Sequence, residues 1–371
     1  MATKQTIKVN FIYETHGCNV DNIRPYCPFA VYKEDTGNFT LAVPKTWWVT
    51  FLGALERRGK TDYLTLPPNV MIDHDRDVVP YADDAAMDKD VLKVFNAIYK
   101  AYLAIFDHDC ADLRAFLPPF VLFPITGRLR QDLVELTRIN FLKGTHGLAT
   151  RVNDFLETHP EVSGWMDETR KALGLPHDAG LFIKTVKTSG KNDSPLRPLY
   201  TAEEAVIRLT ETKAFWREWI QSRPVSVVMM KWDYALDQDR EFRVFVAKRR
   251  VAAISQQKWF AKIEAFGDPW KSCEYEEIAL RFAHAILDGC TQDLLGALPY
   301  GDCVLDVWID EEWGMHLIET NPGQMWASSG SSLFRAEDRN VVEGLTDNGD
   351  EDNGDVKNES SPEQVEIRFK L

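Results

Sequence analysis

The sequence predicts an α+β protein of mostly antiparallel sheets carrying an inserted block of helices. Three observations predict it. "EFRVFVAKRRVAAISQQKW", from Glu241, alternates on both sides of a basic turn at Arg249-Arg250, the pattern of a hairpin. "DCVLDVWIDEEWGMHLIETNP", from Asp302, does the same around Asp310 to Gly314. Between residues 78 and 158, by contrast, apolar residues recur at helical spacing.

The chain has 371 residues, of which 44% are hydrophobic and 27% charged, an ordinary globular balance. At roughly 100–200 residues per domain, two or three lobes are expected. Eleven Trp and twenty Phe fill a sizeable core, since each ring buries roughly 150–250 Å². The net charge of −14 repels phosphate backbones and anionic membrane surfaces, so neither nucleic acid nor a membrane is expected as a direct partner. The densest basic run, Lys248-Arg249-Arg250, reads as a solvated turn. The start lacks the apolar core of a secretory signal, and no apolar run reaches the roughly 18–20 residues of a membrane span. The six Cys are scattered without CxxC spacing. Core filling in a reducing compartment is therefore expected, and no structural zinc. The expected location is the cytoplasm and the expected state a monomer.

In chain order, residues 1–77 read as a mixed start. "CPFAVY" is helix or strand, "NFTLAVP" is strand-like, and "KTWWVTFLGALERRG" is a helix with Trp47, Phe51 and Leu55 on one face and Gly59 at its end. Residues 78–158 form the helical insertion: "MDKDVLKVFNAIYKAYLAIF" and "RLRQDLVELTRINFLKG", separated by "FLPPFVLFPITG", then "GTHGLATRVNDFLETHP". Residues 159–334 open with the helix "EVSGWMDETRKALGL". The strands "GLFIKTVKTS" and "SVVMMKW" follow, then the two hairpins, with "TAEEAVIRLTETKAFWREWI" and "CEYEEIALRFAHAILDG" as helices between strands. Residues 335–363 are acidic and rich in Gly and Asn, without the apolar content to offset ordering entropy, and are expected to be a disordered linker. Residues 364–371, ending in "VEIRFKL", alternate again and are expected to return to a sheet.

The second hairpin carries the sharpest chemical signal. Residues two apart in a strand share a face, so Leu317, Glu319 and Asn321 are expected to point one way, and Val304, Asp306 and Trp308 one way on the partner strand. A turn centred near Glu312 sets Asp306 opposite Glu319. Two opposed carboxylates repel in a bare sheet; a divalent cation reverses the sign. Asp, Glu and Asn supply only oxygen ligands, the hard set that suits magnesium. A solvated face or a hydrogen-bonded buried pair is the other reading. Elsewhere, Lys184 in "FIKTVKTSGKN" reads as a point charge on a central strand within reach of phosphate, or as a surface strand residue. "TSGKND" offers a small turn whose amides can cradle phosphate. Arg243 in "DREFRVFV" either binds phosphate bidentately or pairs with Glu241 or another acid. "MIDHDRD" and "FDHDCAD" read as exposed loop charge.

Taken in order, "FIKTVKTSGKND", "VVMMKWDYALDQDREFRVFVAKRRVAAISQQ" and "VLDVWIDEEWGMHLIETNP" resemble the cell division cycle protein 123 family. The amino-terminal "YCPFAVYKEDTGNFTLAVPKTWWVTFLGALERRGKTDYLTLPP" is similar to that family's opening. The resemblance implies an ATP-grasp-like fold, with two lobes enclosing a nucleotide cleft. It implies ATP and magnesium as ligands, and an assembly chaperone that holds the gamma subunit of translation initiation factor 2. Residue by residue it implies phosphate contact at Lys184, a loop over the phosphates from Thr188, Ser189 and Gly190 to Lys191 and Asn192, and an adenine hinge at Met230, Lys231 and Trp232. It further implies an "EFR" arginine at Arg243 and magnesium ligation by Asp306, Glu319 and Asn321.

Where the family has Asp, this chain has Glu319, although Glu-x-Asn is common in ATP-grasp ligases. The loop reads "TSGKN", and Gln257 replaces an Arg. An ATP-grasp ligase, joining a carboxylate to an amine through an acyl-phosphate, is therefore the alternative, and substrate-dependent phosphate release separates the two. Under either reading Asp306→Asn is expected to abolish magnesium-nucleotide binding and leave the fold intact.

Overall fold

The computed structural model describes residues 6–12, 29–78, 88–106, 111–144, 146–186, 196–220, 225–258, 263, 272–323, 334, 338, 341 and 364–370. The phosphate loop expected at 188–192 and most of the acidic segment 335–363 lie outside them.

Strand β1 (Thr6–Ile12) is followed by β2 (Ala30–Lys33), β3 (Phe39–Ala42), α1 (Lys45–Arg57), β4 (Val70–Asp73) and α2 (Lys89–Ala104). Next come β5 (Phe120–Ile125), α3 (Gly127–Lys143), α4 (Leu148–Thr158), α5 (Pro160–Ala172) and β6 (Leu181–Thr185). Then follow α6 (Ala202–Thr210), α7 (Lys213–Trp219), β7 (Val225–Lys231), β8 (Glu241–Ala247) and β9 (Arg250–Gln256). The last are α8 (Ser272–Gly289), α9 (Gln292–Ala297), β10 (Cys303–Ile309), β11 (Met315–Pro322) and β12 (Gln364–Lys370).

Among the described residues the strands form three sheets, ordered β1-β12-β9-β8-β10-β11, β2-β3-β4 and β5-β7-β6. Pairing is antiparallel except at β1/β12, β12/β9 and β3/β4. The expected class, α+β with mostly antiparallel sheets, is what the chain adopts.

The chain divides into two compact units. The larger comprises Met1–Phe106, Cys110–Leu117 and Ala235–Leu371; the smaller comprises Asp107–Asp109 and Pro118–Tyr234. The stretch 78–158 is thus shared between them.

In the larger unit α1 buries Trp47, Phe51 and Leu55 on one face. It ends in a Schellman turn, with Lys60 N–H on the Leu55 carbonyl and Gly59 N–H on that of Glu56, both 2.9 Å. Gly59 takes φ +61°, which a residue without a Cβ adopts at no steric cost. The first hairpin turns one residue earlier than expected, at Lys248 (φ 50°) and Arg249 (φ 60°), the left-handed pair that matches strand twist. Nor is that turn simply solvated: Arg249 Nη1 donates to the carbonyls of Leu295 (2.7 Å) and Gly296 (3.0 Å), capping the end of α9. At the end of β4, Asp73 Oδ1 accepts from the amides of Asp75 (2.9 Å) and Arg76 (3.1 Å), so this part of "MIDHDRD" is a turn.

In the smaller unit β5-β7-β6 lays one face on α3–α7. Val225, Val227 and Met229 of β7 alternate into a core with Leu133, Trp165 and Trp219. "FVLFPI", expected as a separator, is strand β5. Its Pro124 is tolerated because β5 is an edge strand, where a missing amide costs no ladder bond. The stretch expected as one helix from Thr201 is two. Thr201 forms a capping box with Glu204, and Thr212 Oγ1 accepts from Phe215 N–H at 3.1 Å, starting α7 afresh.

Cys290 and Cys303 are free and buried. Burial pushes the Cys290 thiol from 9.0 up to about 12, and burial with the nearby Asp302 charge raises Cys303 as well. A raised folded-state value favours the folded chain below the ordinary thiol range, and that advantage is lost as pH rises above 9. Alkylation followed by peptide mass spectrometry is expected to leave both thiols unmodified in the native chain at pH 8 and to label them in urea. Stability is expected to fall as pH climbs from 9 towards 12.

Candidate functional site

Alternation gives the six-stranded sheet of the larger unit two different faces. On one, Phe242 of β8 and Phe369 of β12 meet Phe282 of α8, at centroid distances of 4.8 and 6.1 Å. On the other, a polar row crosses the sheet. Cross-strand register places Glu366 and Arg368 beside Ala253 and Ser255, Ser255 beside Arg243, and Arg243 beside Asp306.

The second hairpin pairs Asp306 with Glu319 and Val304 with Asn321, the register read from the sequence. Its turn closes through Asp310 N–H on the Gly314 carbonyl at 3.0 Å. One expectation is corrected. A bulge lies between Asp306 and Val307, so Val307 pairs with Leu317 and Ile318 is the extra residue. Leu317 therefore belongs with Val307 on the apolar face, opposite Glu319 and Asn321. His316, stacked on Trp308 at 4.7 Å, takes the polar side in its place.

At the centre of the row Arg243 grips Asp306 side-on, Nε on Oδ1 at 2.9 Å and Nη2 on Oδ2 at 3.0 Å. Both residues are buried, 8% and 4% exposed. Asn321 Nδ2 donates to the same Oδ2 at 3.0 Å. Of the two roles open to Arg243, the structure thus displays the ion pair, with Asp306 as an acid it grips.

The oxygen set still fits a hard cation. Asn321 spends its amide nitrogen on Asp306, which turns its carbonyl oxygen elsewhere. Among the described residues, Asp306 Oδ1 accepts from one donor. Glu319 lies opposite on the same face.

Further along, Arg368 bridges Glu366 (2.6 Å) and Asp338 (2.7 Å), and Asn10 of β1 donates to Glu366 at 2.6 Å. Burial opposes the Arg368 charge, but those two carboxylates outweigh it and raise its pKa. This arm of the polar row was missed from the sequence. "VEIRFK" held the signal, because Glu366 and Arg368 alternate with Val365, Ile367 and Phe369 as Glu241 and Arg243 alternate with Phe242 and Val244.

In the smaller unit Lys184 is buried, 4% exposed, and pairs with Val228. It sits on β6, which is the edge of its three-stranded sheet, not a central strand. Phe182 pairs with Met230, so Lys184 and Met230 share the sheet face turned from the α3–α7 core. Lys231 pairs with Leu181 and points to the other face. Trp232 follows β7, its ring 6.2 Å from Phe182 and its amide donating to the Gly180 carbonyl at 2.9 Å. That donor is used within the chain, so a base at this hinge would draw on other groups. Thr188, Ser189, Gly190, Lys191 and Asn192 lie outside the described residues.

The model of the D123 family matches residues 209–370. This D123 segment holds Met230, Lys231, Trp232, Arg243, Asp306, Glu319 and Asn321; Lys184 and the 188–192 loop precede it. No curated protein matches the chain in sequence. Among solved structures it is similar to Cdc123 from Schizosaccharomyces pombe, at 16% identity and a TM-score of 0.48, over 72% of this chain and 96% of that one. It is similar to a RimK domain ATP-grasp protein from Sphaerobacter thermophilus, at 15% identity and TM-score 0.30, over 80% and 92%. A D-alanine-D-alanine ligase from Coxiella burnetii shares 11% identity at TM-score 0.33, over 92% and 94%. No helix among the described residues is long and apolar enough to cross a membrane.

Proposed function

We propose that this chain binds ATP with magnesium and acts, as the cell division cycle protein 123 resemblance implies, as an assembly chaperone holding the gamma subunit of translation initiation factor 2 in the cytoplasm. The observation that carries the nucleotide half is the face formed by Arg243, Asp306, Glu319 and Asn321 within the D123 segment. Magnesium there would neutralise phosphate charge. The chain's own residues do the rest. Arg243 offers a planar fork that matches two phosphate oxygens. Asp306, Glu319 and Asn321 present hard oxygens from neighbouring strands, held in register by the ladder. For the smaller unit, taken by itself, the resemblance implies phosphate contact at Lys184 and an adenine hinge at Met230, Lys231 and Trp232.

One specific feature favours a second reading, an ATP-grasp ligase: Glu319 and Asn321 are two apart on the Asp306 face, the Glu-x-Asn pattern common to such ligases. The experiment is a pull-down of initiation factor 2 gamma subunit by the purified chain, with and without ATP-magnesium, with nucleotide binding measured calorimetrically in the same samples. Binding of both is the expected result. Nucleotide binding without subunit capture, accompanied by substrate-dependent phosphate release, would replace the chaperone with the ligase. Absence of nucleotide binding would remove both.

A further inference from the structure

The carboxylate at the centre of the oxygen set is already in use. Arg243 takes both oxygens of Asp306, Asn321 takes one of them again, and the pair is buried. A carboxylate offers about four lone-pair positions; three are filled here. The ion pair also offsets the Asp306 charge, so the set carries less net negative charge than its two carboxylates would alone. Affinity for a hard divalent cation follows the number of charged ligands, and a cation on Asp306 would sit beside a guanidinium in a partly desolvated place, where like charges repel strongly.

We propose that Arg243 is a resident counter-cation that keeps divalent metal off Asp306 until an anionic, polyphosphate-bearing ligand gives the guanidinium a new partner. Metal and anion then enter together. The anion draws the Arg243 fork towards its own oxygens, and the released side of Asp306 becomes available to the cation. This rests on the nucleotide reading and adds an order of binding to it: metal alone binds poorly, anion alone binds poorly, and the two bind cooperatively.

The test uses Mn²⁺ alone as probe, on the full chain, without nucleotide. Calorimetric titration is expected to show Mn²⁺ binding to Arg243→Gln at least about tenfold tighter than to the unsubstituted chain, because a positive charge beside the site is gone. The melting temperature of Arg243→Gln, lowered by the stranded Asp306 charge, is expected to rise with Mn²⁺ by more than that of the parent. Arg243→Lys keeps the charge and should behave like the parent. The double substitution Arg243→Gln with Asp306→Asn should fold and give no Mn²⁺ response. Equal Mn²⁺ affinity in the parent and in folded Arg243→Gln would overturn the proposal. Should Arg243→Gln fail to fold in metal-free buffer, recovery on adding Mn²⁺ supports it and failure to recover overturns it. ATP added with Mn²⁺ is a separate arm: no ATP binding at any Mn²⁺ concentration would refute the nucleotide reading, while the Mn²⁺ comparison would still decide the role of Arg243.

Discussion

Asp306→Ala is expected to lower stability by about 3–5 kcal/mol, the usual cost of stranding one partner of a buried ion pair. Asp306 is 4% exposed and accepts three hydrogen bonds, two from Arg243 and one from Asn321. Its removal takes the Asp306 charge from a guanidinium at 8% exposure and an acceptor from the Asn321 amide. Asp306→Asn keeps the shape but loses the charge, so it too is destabilised. The sequence-based expectation that this substitution leaves the fold intact gives way to an expected shift in the urea midpoint. Replacing both partners with apolar residues, Arg243→Met with Asp306→Leu, is expected to restore most of the stability, since a buried pair contributes little net beyond an apolar pair of similar volume. The same double variant should bind no magnesium-nucleotide. Equilibrium urea unfolding of the two singles and the double checks this. Single variants within 1 kcal/mol of the parent would mean that the pair opens to water in solution.

These residues also show what the sequence could and could not reveal. Register in the second hairpin was legible, because the Asp310–Gly314 turn fixes which residues meet, and Asp306 does stand opposite Glu319. The bulge at Ile318 was not. It is one extra residue in an otherwise alternating strand, and alternation alone assigns Leu317 to the wrong face. Strand β5 was hidden by Pro124, which a central strand would reject and an edge strand accepts. The join between α6 and α7 was hidden because both helices share one apolar period, and only the cap at Thr212 divides them. The partner of Arg243 was undecidable from sequence, because β8 and β10 are separated by α8 and α9 and their register depends on tertiary packing. Nucleotide roles came from resemblance to a family, and alternation by itself would have offered only a polar face.

Phe369→Ala is the second substitution expected to act strongly, at about 3–5 kcal/mol. The side chain is fully buried, with Phe11, Phe242 and Phe282 at 6.1, 5.8 and 6.1 Å. Its position in the topology extends the effect beyond the cavity. Strand β12 lies between β1 and β9, parallel to both, and among the described residues β1 has no other neighbour in the sheet. Loosening β12 therefore releases β1 as well, together with the Asn10–Glu366 bond that ties the two strands on the polar face. Native-state hydrogen exchange distinguishes a local from a general loss. Amides of Thr6–Ile12 and Gln364–Lys370 are expected to lose protection first in Phe369→Ala, ahead of those in β10 and β11. Phe11→Ala, at the sheet edge, should deprotect β1 and leave β12 in place, because β12 keeps its ladder to β9. Uniform loss across the sheet in Phe369→Ala would mean that β12 is part of one cooperative unit with the Asp306 hairpin. Damage at either end of the polar row would then reach the candidate metal ligands, and Arg368 with its two carboxylates would matter to ligand binding as well as to the fold.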